Sequence, residues 1–554
     1  MKPVRFLLFY FYFSIVFEPA IAQNVFPYLQ SATPNSIYIT WKTNSNNQSL
    51  VQFGLSSNSL VNSVNGSTQI YSDNGYPNNY FYHAVKLIGL QPNTKYYYKV
   101  SSGSFVSGIY NFKTMPLPGN AATPGGHIRF LIMGDNQIKA EPRYDSLMSA
   151  ASRKLSELYG GDPCDNISLI FNVGDQVDVG TLDHYENVHF AKSKKLSPYL
   201  PIQTTVGNHE TYGSLQLTAY YNHFFYDSLK YQNIYSGTEN YYAYQAGNVL
   251  FLSLSTEHAG TPQLNWVQQV VNAANSDATV EWIISLGHRP YQAEQYVGDI
   301  STWIRNSVVP FLITSPKYVL HIGAHHHLYA RGQLKENPVY NIISGGVAWD
   351  QYWGMAQEQD FDDVQKTISN WMYNIVDVDV ANKKMNVTSY SIGSIYKWKN
   401  NAVMDSFHRY RGQAPPFAPS IKNNLNDSLT FPFTLSCNAY NSPVGELLNS
   451  TEFQIDLTKS FSAHEKDIYR DYEDLFGQAG KVDSTKNLNL GLNILSLKMD
   501  SGYLPNGRHY VRVRHRDQNL EWSAWSAIDS FKVYKSYPAM PRNLSAPIIN
   551  GPTT

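Results

Sequence analysis

Five short apolar runs, each followed at once by a glycine and a polar motif, constrain this chain more than any other feature. The runs are Ile128–Met133, Ser168–Val173, Pro201–Val206, Glu281–Leu286 and Tyr318–Ile322. After them come Gly134-Asp135-Asn136-Gln137, Gly174-Asp175-Gln176-Val177-Asp178, Gly207-Asn208-His209-Glu210, Gly287-His288-Arg289-Pro290 and Gly323-Ala324-His325-His326-His327. Apolar runs of this length and composition read as buried strands. In each, the glycine frees the backbone to turn at the strand end, and a residue able to bind a metal follows. In open α/β sheets, sites gather at the carboxyl ends of strands. The pattern therefore delivers Asp, Asp, Asn, His and His-x-His to one rim.

Hard metal ions favour oxygen and imidazole donors, and this set supplies both. Asp175 can use its two carboxylate oxygens to bridge a pair of ions about 3.5–4 Å apart, a spacing suited to hydrolysis of phosphate esters. Asp135 is expected on one ion, Asn208 and His288 on the other, with His325 and His327 divided between them. Alternate residues of an extended segment share a face, so His325 and His327 reach the rim while His326 turns away. His209, directly after Asn208, is expected beside the site as a general acid toward the leaving alkoxide. Singly, each residue is more readily explained as structural; their joint order and strand-end placement reverse that.

The chain has 554 residues, enough for two to four domains. Lys+Arg 42 against Asp+Glu 43 leaves a net charge of -1, so no basic field is present to coat nucleic acid. Lys2 and Arg5 precede an apolar run, Phe6 to Phe17, and Ala20-Ile21-Ala22 supplies small residues for cleavage. Residues 1–22 are thus expected to be a signal peptide, and the protein to be secreted, extracellular or periplasmic. No later run is long enough to span a bilayer. Residues 23–115 alternate as a small β module, in which Leu90-Gln-Pro-Asn-Thr-Lys-Tyr96 is similar to the tyrosine corner of fibronectin type III sandwiches and Trp41 is the expected core tryptophan. A Pro/Gly/Ala-rich linker leads to a catalytic region over 127–395. Within it, helical spacing predicts helices near Glu141–Tyr159 and Gln263–Val271, and Tyr241–Leu254 reads as a hairpin turning at Gly247-Asn248. A second β module is expected over 415–535, then a tail over 536–554. In that module Leu504–Tyr510 echoes the first corner, Trp522-Ser-Ala-Trp525-Ser526 is expected to form an aromatic–arginine ladder, and Glu465–Glu473 reads as a charged, helical insertion. Cys164 and Cys437 are expected to be independent buried thiols.

The order Gly-Asp, Gly-Asp-x-x, Gly-Asn-His-Glu, Gly-His and x-His-x-His-x-Tyr-x-Arg (ending Tyr329-Ala330-Arg331) resembles the calcineurin-like metallophosphoesterases, and within them the purple acid phosphatases. The N-terminal module, Tyr241-Tyr-Ala-Tyr244 and Gln263-Leu-Asn-Trp266 add to that resemblance, which runs from about Gln23 to Ser391. It implies an α/β, four-layer αββα sandwich, flanked here by the fibronectin-like and C-terminal all-β modules. It also implies two divalent or trivalent ions (Fe, Zn or Mn), held by Asp135, Asp175, Asn208, His288, His325 and His327, and hydrolysis of small phosphate monoesters by metal-bound hydroxide.

Two departures qualify the match. The family's metal-ligating Tyr, the source of the purple colour, is Asp178 here. The His that other metallophosphoesterases place in the first motif is Gln137. Asp178 can either ligate an ion or, as in the similar serine/threonine protein phosphatases, orient the catalytic His; the Asp178–His209 dyad is preferred, with Gln137 a weak ligand candidate. Two other readings stand beside the monoesterase. One is a phosphodiesterase or nucleotidase on the same site. The other is an exported adhesion or glycan-binding protein with an inactive phosphoesterase domain, making cell-surface or glycan contact through its C-terminal module.

Overall fold

A computed structural model of the chain describes residues 25–534 apart from 75, 296, 350–363, 423–424, 426–427, 477–484, 488 and 501. The expected signal peptide and tail lie outside the described residues. No helix among those described is long and apolar enough to cross a membrane.

The N-terminal strands form two sheets. One has Val25–Gln30, Ser36–Thr43, Tyr76–Ile88 and Ser67–Asp73 in that order; the other is built on Asn62–Asn65, Leu50–Gly54 and Lys95–Ser102. Trp41 is fully buried and donates its indole N–H to Ser102 Oγ at 3.2 Å. The Tyr96 hydroxyl accepts from the Gln91 backbone N–H at 2.9 Å, which is the corner the sequence announces. This module is keyed into the catalytic region by a buried ion pair, Lys42 to Glu186 at 2.9 Å, and by Tyr98, whose hydroxyl donates to the Pro198 carbonyl at 2.7 Å.

Two larger sheets carry the catalytic region. The first is six-stranded, in the order Ile202–Thr204, Leu169–Asn172, His127–Met133, Trp371–Asp379, Lys384–Gly393 and Trp398–Tyr410. Its first three strands run parallel and the rest antiparallel. The strand Trp398–Tyr410 carries this sheet past residue 395. In the second sheet the hairpin Tyr242–Ala246/Val249–Leu254 leads into the parallel run Trp282–Gly287, Tyr318–Gly323 and Tyr340–Ser344. Tyr329–Gln333 and Val364–Ile368 then extend it antiparallel.

Aromatic contacts lock the inner faces together: Phe251 meets Phe130 edge-on at 4.8 Å and Phe171 at 4.4 Å. The helix Arg143–Tyr159 buries Tyr144, Leu147, Met148, Ala151 and Leu155, the i, i+3, i+4 spacing of one helical face, toward the first sheet. Thr261–Ser276, with Pro in its first turn, lays Trp266, Val267, Val270 and Val271 toward the second.

The C-terminal residues form a sheet ordered Lys466–Asp471, Leu448–Asp456, Gly507–Asp517 and Asp529–Val533. The helical expectation for 465–473 is corrected: Lys466–Asp471 is a strand whose backbone pairs antiparallel with Ser450–Ile455. Lys466, Asp467 and Arg470 lie on this edge strand at least partly solvated, where they discourage further pairing, while Asp471 is buried against Gln365. The second corner also differs from its echo. His509, not Tyr510, turns inward there, with Nε2 2.9 Å from the Pro505 carbonyl.

The aromatic–arginine ladder is present. Arg512 lies over Trp525 at 4.3 Å, Arg514 over Trp522 and Trp525 at 4.1 and 4.5 Å, and Arg516 over Trp522 at 5.2 Å. Its edge grips the catalytic region. The buried Arg516 donates to the carbonyls of Leu334 and Asn337, both at 2.7 Å, and Trp522 donates to that of Lys335 at 2.9 Å. The module also lends Asp474–Phe476 to the second large sheet, parallel to Val364–Ile368. Both cysteines are free and buried.

Candidate metal centre

The parallel strands of the two large sheets end on a common rim. His127–Met133, Leu169–Asn172 and Ile202–Thr204 deliver Asp135, Asp175 and Asn208; Trp282–Gly287 and Tyr318–Gly323 deliver His288, His325 and His327. At the rim the chain is bent hard. Asp135, Asp175, His325 and His327 have φ of 61°, 52°, 69° and 52°, a left-handed conformation that side chains other than glycine rarely adopt. Such strain persists only where the surroundings over-determine it, and it gathers at functional sites. Two glycines are dictated by close approach. A Cβ on Gly207 would fall 2.2 Å from Asp175 Oδ1, and one on Gly345 equally near Asp135 Oδ2.

The donors fall into two overlapping triads. Asp175, His288 and His325 form one, and Asp135, Asp175 and His327 the other, with donor atoms within 4.8 Å of one another in each. Asp175 belongs to both. Its Oδ2 lies 3.1 Å from His288 Nε2, while Oδ1 accepts the His209 backbone N–H at 3.0 Å. Asn208 Oδ1 is 3.1 Å from His288 Nε2, which places it with the triad of His288 and His325. Hydrogen bonds fix the ring tautomers. His288 Nδ1 donates to the Val173 carbonyl at 2.9 Å, which turns Nε2 toward Asp175 and Asn208. His325 Nε2 is held by Asp299 at 2.8 Å, leaving Nδ1, 3.2 Å from His288 Nε2, to face inward.

The electrostatics call for cations. Asp135 is fully buried, and its Oδ1 has no hydrogen-bond partner among the described residues. Burial, together with the Asp175 charge, pushes its carboxyl well above the usual range, against the pull of His288. Burial would also raise Asp175, but His288 and then His209 outweigh it and hold that carboxyl well below the ordinary value. Burial would lower His288, yet Asp175 and Asp135 drive it up to about 10. Burial holds His327 down to about 3 and, with the His288 charge, His325 to about 4. The neutral imidazoles of His325 and His327, beside two buried carboxylates that crowd the His288 ring, are a donor set suited to metal ions.

His209 and Asp178 meet outside this cluster. His209 Nδ1 is 2.7 Å from the Asp178 carbonyl and 3.3 Å from its carboxylate, and Nε2 faces Asp175 Oδ2 at 3.9 Å. The Asp178 side chain is about half exposed and belongs to neither triad. His326 is buried next to the two ligand candidates.

Sequence reasoning missed several residues here. Glu210, fully buried, accepts backbone N–H bonds from Asp175, Gln176, Val177 and Gly207, at 3.0, 2.8, 3.3 and 2.7 Å, and so ties the second motif to the third. The Tyr212 hydroxyl accepts from Asn208 Nδ2 at 3.3 Å, turning Oδ1 toward the site. Trp349 stacks on His327, with ring centroids 4.9 Å apart. Asp299 and Gly345 complete the set. Gly345 carried a readable signal, since it follows the apolar run Tyr340–Ser344 as the other motif glycines follow theirs.

Comparison with known proteins agrees with this geometry. Residues 22–114 match the model for the purple acid phosphatase N-terminal domain, and residues 128–329 that for the calcineurin-like phosphoesterases. Purple acid phosphatase 15 of Arabidopsis thaliana is 23% identical over 374 residues, covering 57% of this chain and 66% of the relative. Acid phosphatase type 7 of Danio rerio is 26% identical over 281 residues, covering 46% and 56%. The chain thus spans less than two thirds of the length of these relatives. A solved purple acid phosphatase from yellow lupin (Lupinus luteus) seeds shares the fold at TM-score 0.56, with 18% identity, over 70% of this chain and 74% of that one.

Proposed function

We infer that this chain, a purple acid phosphatase-like metallophosphoesterase, hydrolyses small phosphate monoesters at the rim formed by Asp135, Asp175, Asn208, His288, His325 and His327. The scaffold we propose is the four-layer αββα sandwich, with Arg143–Tyr159 outside one sheet and Thr261–Ser276 outside the other. The observation that carries the reading is the pair of triads sharing Asp175. Asp135, Asp175 and His327 would hold one ion, and Asp175, Asn208, His288 and His325 the other, with iron, zinc or manganese all suited to the donors. Ions bound there supply Lewis-acid polarisation of the phosphate and acidification of water.

The remaining chemistry belongs to the chain's own backbone carbonyls and side chains. Val173 and Asp299 orient two of the imidazoles through their distal nitrogens. His209 is anchored at Nδ1 by Asp178, which leaves Nε2 turned to the site. In its protonated form it gives the Nε2 proton to the departing alkoxide oxygen as the P–O bond to the alcohol breaks and water oxygen joins phosphorus. The water's second proton passes to solvent, from which the imidazole is reprotonated. Asp178 is a positioning residue for this step. Export through the N-terminal segment is part of the proposal. For the C-terminal module we favour a bracing role, because its ladder is engaged with residues 334–337 of the same chain.

The direct test is elemental analysis of the purified protein by plasma mass spectrometry, alongside turnover of p-nitrophenyl phosphate and bis-p-nitrophenyl phosphate. Two ions per chain with monoester turnover are expected. Diester preference would replace the substrate class, and no ion with no turnover after adding iron, zinc or manganese would overturn the reading. His209→Ala should keep both ions and slow esters of poorly acidic alcohols by about 10²–10⁴, activated aryl esters far less. Equal loss on both ester types would remove His209 as the acid.

A further inference from the structure

Gln137, one of the two departures from the family pattern, is set directly against the metal centre. It is fully buried, against two of the ligand candidates. Its Nε2 lies 3.2 Å from Asp175 Oδ2 and 3.3 Å from His327 Nε2, two donors of the triad completed by Asp135. Among the described residues its Oε1 has no hydrogen-bond partner, and neither does Asp135 Oδ1, of the same triad. Two buried acceptors left unsatisfied beside one triad are costly unless a cation serves them. A half-turn of the carboxamide exchanges its O and N and aims the oxygen between Asp175 and His327. The rival candidate, Asp178, is half exposed and turned to His209.

The geometry points to Gln137, through its amide oxygen, as the fourth protein ligand of the ion held by Asp135, Asp175 and His327. This assignment rests on the binuclear reading of the centre and deepens it. With two carboxylates, one imidazole and a neutral amide, this half of the centre has neither a phenolate nor a second imidazole. Such a set suits a hard divalent ion such as manganese(II) better than iron(III), and it gives no tyrosinate colour.

The test is manganese(II) binding to the full chain, stripped with chelator and titrated calorimetrically, with the bound ion counted by plasma mass spectrometry. Wild type is expected to take two ions. Gln137→Leu should weaken one of the two by on the order of ten- to a hundredfold and leave the other unchanged. Gln137→His, which restores a strong donor, should keep both, and Asp178→Asn should not alter the count. Unchanged binding of two ions by Gln137→Leu would overturn the assignment, and so would equal impairment of Gln137→Leu and Gln137→His, which would mark packing rather than ligation. Loss of an ion in Asp178→Asn would transfer the role to Asp178. Failure of wild type to bind any ion would instead remove the binuclear reading on which the assignment rests. Circular dichroism of each variant confirms that the fold is kept.

Discussion

Asp175→Asn is expected to empty both halves of the centre and to lower monoester turnover by at least about three orders of magnitude. Asp135, His288, His325 and His327 each serve one triad; Asp175 serves both. Asparagine keeps the shape and can still accept the His209 backbone N–H through Oδ1. Its amide nitrogen, however, replaces the oxygen that faces His288 and Gln137, so neither ion keeps its shared negative donor. Losing both ions removes several kcal/mol of charge stabilisation, and each 1.36 kcal/mol is a factor of ten in rate. Plasma mass spectrometry after desalting, with p-nitrophenyl phosphate turnover on the same sample, checks the prediction. Two retained ions with turnover within tenfold of wild type would show that Asp175 does not bridge.

How much of the site is readable in the sequence depends on where each residue's signal lies. The ligand candidates Asp135, Asp175, Asn208, His288, His325 and His327 sit two to five residues after an apolar run, so periodicity and a glycine are enough to place them. The same local logic finds the Tyr96 corner, the Arg143–Tyr159 helix and the Arg–Trp ladder. Asp299 escapes because it lies in a short irregular turn, 26 positions from the His325 it holds, with no strand or periodicity before it. Glu210 is visible within its motif, but its role depends on four backbone N–H groups converging in space, and a sequence does not show that convergence.

The strand at 466–471 is misread for a different reason. Charge content speaks for solvent exposure but not for helix over strand, and here pairing with a neighbouring strand decides the outcome. The ladder is legible as a ladder, but not as a clamp. Its partners at 334–337 lie nearly two hundred residues upstream.

The same limit hides the partner of the Tyr329 and Arg331 motif, and with it the largest expected effect on stability. Asp405, on the last strand of the first large sheet, accepts from the Tyr329 hydroxyl at 2.7 Å and from Arg331 Nε at 2.6 Å, with Lys366 at 3.2 Å. Tyr329, Arg331 and Lys366 all belong to the second sheet, so this buried carboxylate joins the two layers behind the ligand candidates His325 and His327. Asp405→Ala would strand the Arg331 guanidinium in the interior, a loss worth about 3–5 kcal/mol. At the size of this region that corresponds to a fall in unfolding temperature on the order of 5–15 °C. Burial alone would raise the Asp405 carboxyl, but Arg331 and Lys366 outweigh it and bring it down to about 2. A depressed carboxylate contributes stability above its ordinary value near 3.9, and that contribution is lost as pH falls toward about 2. The stability gap between wild type and Asp405→Asn should therefore hold constant from neutral pH down to about 4 and narrow below it. Denaturant unfolding at a series of pH values reads this directly. A gap that closes between pH 7 and 5 would mean Asp405 is not the ionised partner of Arg331.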